Sequence, residues 1–316
     1  MIVDLPSSSS SAVNRKLVQL RESGGVLALG RVLTLVIVTD DGGAIEDAVA
    51  AANSASREHP CRVLVLARGQ RRAAPRLDAQ IRVGGDAGAS EVVVLRGYGP
   101  LAGDDAAAGM VVPLLLPDAP VVAWWPGEAP VVPAEDAIGR LAQRRITDAL
   151  AARNPLRAFE HRRAHHVAGD TDLTWTRLTP WRALLAAALD HPPHEAVTGA
   201  SVVGEAVSPS TDLVAGWLGA RLGVRVKRSR AEGGQGLVSV RVDRPSGPVE
   251  IVRPDGRVAT LRQPGQPERR VALTRRTVPD CLAEELRRLD PDEIYAAALR
   301  GVGSVARGRT PVRSVP

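Results

Sequence analysis

The densest apolar run of the chain, Arg31–Thr39 (RVLTLVIVT), stops at Asp40–Gly43. An unbroken β-branched run closed by a turn predicts a strand buried on both faces, the habit of parallel sheets. Ala44–Ser56 then places Ile45, Ala48, Val49 and Ala52 on one helical face, and Cys61–Ala67 (CRVLVLA) predicts a second buried strand. Strand, helix and strand within about 36 residues form a βαβ unit, whose crossover is expected to be right-handed. Further strands are predicted at Ala79–Val83, Glu91–Leu95 and Val121–Trp125 (VVAWW). Residues 11–23 and Ile138–Ala152 have the spacing of amphipathic helices, and Val111–Leu116 suggests a helix starting near Pro113. The first half therefore reads as an α/β layer with a mostly parallel sheet and flanking helices.

Past residue 160 the pattern changes. Arg157–Asp172 is rich in charge and histidine and reads as a connection between domains. Leu178–Leu189 predicts a helix with Thr179 as N-cap and Pro180 in its first turn, and Thr211–Leu222 predicts another. Short apolar runs follow at Ala200–Val203, Val224–Ser229, Leu237–Val242, Val249–Val252 and Arg257–Leu261. Arg253–Pro254–Asp255–Gly256 predicts a hairpin turn, because glycine tolerates the positive φ after Pro-Asp. Asp280–Arg288 and Asp292–Leu299 close the chain as helices. The expected organisation is an N-terminal α/β domain (1–160), a linker (161–177), a C-terminal α+β domain with antiparallel strands (178–301) and a flexible basic tail (302–316).

Composition narrows the class. At 316 residues, 44% of them apolar, the chain can bury two cores. Aromatic residues are only 3% of it, with Phe159 the single phenylalanine, so those cores are built from Val, Leu, Ala and Ile around a few tryptophans. No apolar stretch approaches the roughly 18 residues of a membrane span, and Met1–Pro6 lacks the pattern of a signal peptide. A cytoplasmic protein with no membrane partner is expected. Although the net charge is +6, only Lys16 and Lys227 of the 41 basic residues are lysines. That arginine bias looks like the base composition of a GC-rich genome rather than a nucleic-acid-binding surface. The run Arg221–Arg230 nevertheless holds Arg221, Arg225, Lys227, Arg228 and Arg230 without an acid. Such a face is either solvated or takes a polyanion or acidic partner. With so few aromatics for base stacking, nucleic acid is not the expected partner.

Catalytic signatures are missing. Neither lysine sits in a phosphate loop, and the turn after the first strand reads Thr-Asp-Asp-Gly-Gly where a dinucleotide fingerprint needs glycines that let the backbone approach pyrophosphate. Asp40 and Asp41 there repel phosphate. They also lie at the carboxyl end of a strand, where open α/β sheets place ligands; the plainer reading is a turn in which Asp caps the next helix. Gly84, Gly85 and Gly88 make the most glycine-dense loop and form a second candidate ligand loop. His161 and His165 are four apart but lie among arginines without acidic ligands, so no metal is expected. Cys61 and Cys281, in no Cys-x-x-Cys motif, read as buried apolar residues. Trp124 and Trp125, adjacent on one strand, point to opposite faces. Either both are core, or one is exposed as a partner contact.

Several long strings resemble one family. NSASREHPCRV (53–63), DAQIRVGGDAGASEVVVL (78–95), VPLLLPDAPVVAWWP (112–126), GDTDLTWTRLTPWRALLAAALD (169–190) and SPSTDLVAGWLGARL (208–222) are similar to the actinobacterial glucose-6-phosphate dehydrogenase assembly proteins, the OpcA family. The resemblance implies a non-catalytic partner of glucose-6-phosphate dehydrogenase that favours the enzyme's active oligomer in the oxidative pentose phosphate pathway. It implies no catalytic residues and no cofactor. On this reading Trp124, Trp125, Arg221, Arg225, Arg228 and Arg230 are the candidate contacts. The alternative is an α/β enzyme or metabolite sensor that binds a phosphorylated sugar or nucleotide at Asp40, Asp41 and the Gly84–Gly88 loop.

Overall fold

The two valine-rich runs lie side by side as parallel strands. β2 (Leu33–Asp40) and β3 (Cys61–Arg68) pair from Leu33 opposite Cys61 to Asp40 opposite Arg68, with α2 (Ala44–Ser56) between them in sequence. The computed structural model describes residues 1–23, 32–40, 42–84 and 91–308. Around β2 and β3 it builds an eight-stranded sheet in the order β1-β4-β5-β3-β2-β6-β7-β8. The other strands are β1 (Ile2–Leu5), β4 (Arg76–Val83), β5 (Glu91–Tyr98), β6 (Val121–Trp124), β7 (Arg144–Thr147) and β8 (Asp170–Asp172). The strands from β5 to β8 are mutually parallel; β4 and β1 add an antiparallel edge. Counted along the chain, the parallel strands stand in the order 3-2-1-4-5-6, that of a doubly wound sheet whose direction of winding reverses between β2 and β6.

Both faces of this sheet are covered, which is why its central strands β2, β3, β5 and β6 are mostly apolar rather than alternating. On one face α2 and α8 (Val278–Arg287) pack in a cluster with Leu35, Ile37, Val63, Val65 and Trp124. On the other, α1 (Ser10–Ser23) and α3 (Asp104–Val111) pack with Val36, Leu64, Val93 and Trp125. Trp124 and Trp125 are 1% and 0% exposed. Both tryptophans are therefore core, one per face, and neither offers the exposed ring that a partner contact requires. The buried Glu91 at the start of β5 is held by Arg62 at 3.0 Å and by Arg21 of α1 at 2.9 Å.

This unit consists of Met1–Arg153, Gly169–Leu173 and Val278–Pro291, so the chain leaves it and returns twice. The return of α8 follows from its apolar face: Cys281, Leu282 and Leu286 complete the α2 cluster. Residues 161–177, expected as a linker, instead hold the end of α4 (Pro155–Ala164), β8 and α5 (Leu173–Thr176). Ile138–Ala152 is not a helix. Asp136 Oδ1 accepts from the amides of Ile138 and Gly139 and so caps the start of a 3-10 turn, Gly139–Leu141, which leads into β7. Near Pro113 no α-helix starts; α3 ends at Val111 and a 3-10 turn, Val112–Leu114, follows.

The second unit holds Asn154–Ala168, Thr174–Thr277 and the chain from Asp292. Its helices are α4, α6 (Thr179–Leu189), α7 (Pro209–Leu222) and α9 (Glu293–Gly301). Its strands are β9 (Gly199–Gly204), β10 (Val226–Arg230), β11 (Leu237–Asp243), β12 (Val249–Val252), β13 (Val258–Arg262), β14 (Arg269–Ala272) and β15 (Ala306–Arg307). They form a seven-stranded sheet, β14-β13-β12-β11-β9-β10-β15, antiparallel except where β10 meets β9 and β15. The 253–256 turn joins β12 to β13 as a hairpin, with Gly256 at φ 73° and Asp255 Oδ1 accepting from the amides of Arg257 and Val258. Helix α7 starts at Ser208, whose side chain accepts from the Thr211 amide, and ends at left-handed Gly223. By contrast α6 is capped at Leu178 with no side-chain bond, so Thr179 is its first residue rather than its N-cap. Among the described residues no helix is long and apolar enough to cross a membrane.

Candidate functional site

The carboxyl ends of the parallel strands enclose a cavity of about 500 Å³, entirely within the first unit. It opens where the winding reverses. Val38, Thr39 and Asp40 come from the end of β2, Arg68 from the end of β3, Trp124 from β6, and Glu128 and Asp148 from the segments that follow β6 and β7. Helix α2 contributes Asp47 and an alanine wall, and α8 its first residues. The lining is thus mostly apolar, with four carboxylates and one guanidinium. Arg68 reaches Asp104 at 2.8 Å, and Glu128 Oε1 accepts from the Arg153 amide at 2.6 Å. Among the described residues, Asp40 and Asp47 are exposed and engage no ion-pair partner. The indole N–H of Trp124 is buried without a hydrogen-bond partner. A donor with no acceptor is costly in a protein interior.

Asp40 therefore stands where strand-end reasoning puts it, but it does not cap α2. The N-cap is Gly43, with no side-chain bond, after a Gly42 at φ 118°. Nor does Gly84 meet Asp40. Val83 pairs with Glu91, so Gly84 follows β4 at the amino end of β5, whereas Asp40 is level with Arg68 and Gly97 at the carboxyl ends. Gly84 is not part of the cavity wall, and Asp41, Gly85 and Gly88 lie outside the described residues. Arg82, beside that loop, grips Glu46 instead through two hydrogen bonds of 2.8 and 2.6 Å. Sequence reasoning missed Asp47, Arg68, Glu128 and Asp148. All but Asp47 sit at or just beyond the end of a parallel strand, yet naming them requires the strand order.

The basic run divides. Arg221, Arg225, Lys227 and Arg230 are exposed around the end of α7 and along β10, while Arg228 is 5% exposed. Arg228 donates to the carbonyl oxygens of Glu205 and Ala206 and lies 3.3 Å from Asp212, which Arg307 also approaches at 3.3 Å. It is a buried structural cation, not a contact residue. Burial pushes the Asp212 carboxyl up despite its two arginines, and burial likewise lowers the Arg228 pKa. Desolvation of this pair outweighs its attraction. Cys61 and Cys281 are buried in one apolar cluster and form no disulfide. Among the described residues no three histidines, cysteines or carboxylates stand close enough to hold a metal ion.

Two family models match the chain in succession. The glucose-6-phosphate dehydrogenase subunit N-terminal domain, of the OpcA assembly type, matches residues 52–164, and the corresponding C-terminal domain matches residues 168–299. Comparison with the curated proteins finds no match. Among solved structures, an oxidoreductase from Sinorhizobium meliloti aligns at 12% identity over 86% of this chain and 94% of its own, with a TM-score of 0.42. A structure described as trehalose-6-phosphate from E. coli bound with UDP-2-fluoro glucose aligns at 10% identity over 63% and 64%, with a TM-score of 0.24. Likenesses this distant carry no argument about the chain.

Proposed function

Because the chain belongs to the OpcA family of glucose-6-phosphate dehydrogenase assembly subunits, we propose that it binds glucose-6-phosphate dehydrogenase and favours that enzyme's active oligomer, acting in the cytoplasm and catalysing no reaction itself. The observation that carries this reading is the match of both domain models, in order, to residues 52–164 and 168–299. An effector of this kind works by differential affinity, stabilising the dehydrogenase state it contacts best by no more than the difference in binding free energy. The exposed cations Arg221, Arg225, Lys227 and Arg230 form the contact face. They call for an acidic surface on the partner, and long-range attraction of this kind acts chiefly on the association rate.

The test mixes the purified chain with its cognate dehydrogenase. Turnover should rise, or the dehydrogenase should elute as a larger species. Charge reversal by Arg221→Glu, Arg225→Glu and Arg230→Glu together should slow association by roughly tenfold or more and flatten its salt dependence. Separate elution with unchanged turnover at micromolar concentrations of both proteins would refute the proposal.

A further inference from the structure

We infer that the cavity at the carboxyl ends of β2 and β6 binds an organic cation, a primary ammonium group carried on a compact apolar body. The place comes from topology. A doubly wound sheet leaves a crevice at its carboxyl edge where the crossovers part to opposite faces, and that crevice is where such sheets take ligands. At about 500 Å³ it falls within the range of small-molecule sites. Its wall is mostly apolar, made by Val38, Pro126, Val278 and the alanine face of α2 (Ala44, Ala48 and Ala51).

The sign of the ligand comes from the charges set in that wall. Carboxylates of Asp40, Asp47, Glu128 and Asp148 line the cavity against the single guanidinium of Arg68. Arg68 is already engaged at 2.8 Å by Asp104, which stands outside the lining. The chain carries 41 basic and 35 acidic residues, so arginine is available in excess to neutralise an acid. Asp40 and Asp47 nevertheless engage no cation among the described residues. The acids also reach the cavity from separate places: the end of β2, the opening turns of α2, and the segments after β6 and β7. Their convergence is made by the fold and is not one acidic run of the sequence.

Other ligand classes each fail on one of these features. A phosphate or carboxylate group would meet like charge. A bare metal ion finds no three ligating groups together among the described residues. A purely apolar guest would cover carboxylates without giving them a donor, which is costly. An alcohol offers one neutral donor. A primary ammonium donates three hydrogen bonds and accepts none, while a carboxylate accepts and donates none. Charge-assisted bonds of this kind are roughly twice as strong as neutral ones. The ammonium group sits at the mouth, where Asp40 and Asp47 are exposed, and the apolar body lies along the alanines of α2. This site is independent of the dehydrogenase contact, and its ligand is read on the isolated chain, so either proposal can fail alone.

The experiment is calorimetric titration of the full chain with phenethylamine and hexylamine, each beside the alcohol of the same body (phenethyl alcohol, hexanol), and with methylamine as a charge without a body. Saturable binding of at least one of the two larger amines is expected below millimolar concentration, with its alcohol and methylamine each roughly tenfold weaker or more. Asp40→Asn and Asp47→Asn, both at exposed positions, should each weaken that amine about threefold or more and leave the alcohol unchanged. Asp105→Asn is the control. That carboxylate is also exposed but belongs to α3, on the other face of the sheet, and its loss should leave the amine's affinity as it was. Four results would each overturn the inference: an alcohol or methylamine binding as tightly as the larger amine, an affinity unmoved in both cavity variants, equal weakening by Asp105→Asn, or no saturable binding of either larger amine up to millimolar concentration.

Discussion

The docking of α8 onto the first unit depends on a charge pair whose removal gives a sharp test. Arg144 of β7 and Glu285 of α8 are 4% and 5% exposed. The guanidinium donates to Glu285 Oε2 at 2.5 Å and to the Asp290 carbonyl at 2.8 Å, so one side chain grips α8 and the residues just beyond it. Taken alone, Glu285→Leu leaves the guanidinium buried without its counter-charge, and Arg144→Met leaves the carboxylate without its guanidinium. Each single change should cost about 3–5 kcal/mol, since the lost partner no longer offsets desolvation. In the double variant both desolvation penalties vanish and apolar side chains fill the space. Its cost should be within about 1 kcal/mol of zero, and the coupling free energy therefore about 5 kcal/mol or more. Hydrogen exchange at the β7 and α8 amides is the right readout, because it isolates this docking from unfolding of the other unit. Each single variant should lose about a hundredfold or more in protection, at 1.4 kcal/mol per decade, and the double variant should recover most of it. If the double variant loses as much as the two singles added together, the pair is not coupled and this account of α8 docking is wrong.

Two further outcomes follow from the second unit. A Cβ on Gly216 would lie 2.3 Å from the Ala298 carbonyl oxygen and 2.8 Å from the Val302 amide nitrogen, so Gly216→Ala should force α7 and α9 apart and cost about 1–3 kcal/mol, read as a lowered urea midpoint; an unchanged midpoint would mean the crossing yields freely. Asp212 supplies a pH test: its carboxyl is held above the ordinary 3.8, chiefly by burial, so the folded chain binds that proton more tightly than the unfolded one. Its contribution to stability is therefore largest below 3.8 and declines as pH rises through the interval up to the raised value. Urea midpoints for wild type and Asp212→Asn from below that value to about pH 7 should show the wild type losing ground as pH rises, and a difference growing the other way would contradict the assignment.

Much of the first unit was legible because fully buried parallel strands are apolar without interruption. The span Ala44–Ser56 for α2 and the run from Cys61 for β3 agree with the structure. The short strands were not legible for the opposite reason. β7 (RRIT) and β8 (DTD) are buried but charged, and their ion pairs are made with each other or with distant chain: Arg145 pairs with Asp170, Arg144 with Glu285, and the Thr147 hydroxyl donates to Asp172. Nothing local marks Asp170 as the partner of a residue 25 positions earlier. The helical character of α8 could be read, but not the unit it completes. In the basic run a usable signal was passed over. On a strand, Val226 facing inward implies Lys227 outward and Arg228 inward again, and that is the observed alternation.

The candidate cavity makes the same point about function. Asp40 was visible as a strand-end acid, but its meaning depended on β6, some 80 residues on, lying against β2 rather than beyond β5. Strand order decides which loops converge, and side-chain chemistry then decides what they take. Here the two disagree with the usual pairing: the topology is that of a dinucleotide-binding sheet, while the turn that should cradle phosphate carries carboxylate. Charge should prevail over topology, because a scaffold only fixes where a ligand sits and the groups at that place set its sign. A chain with this lining is therefore expected to have kept the crevice while giving up the phosphate chemistry.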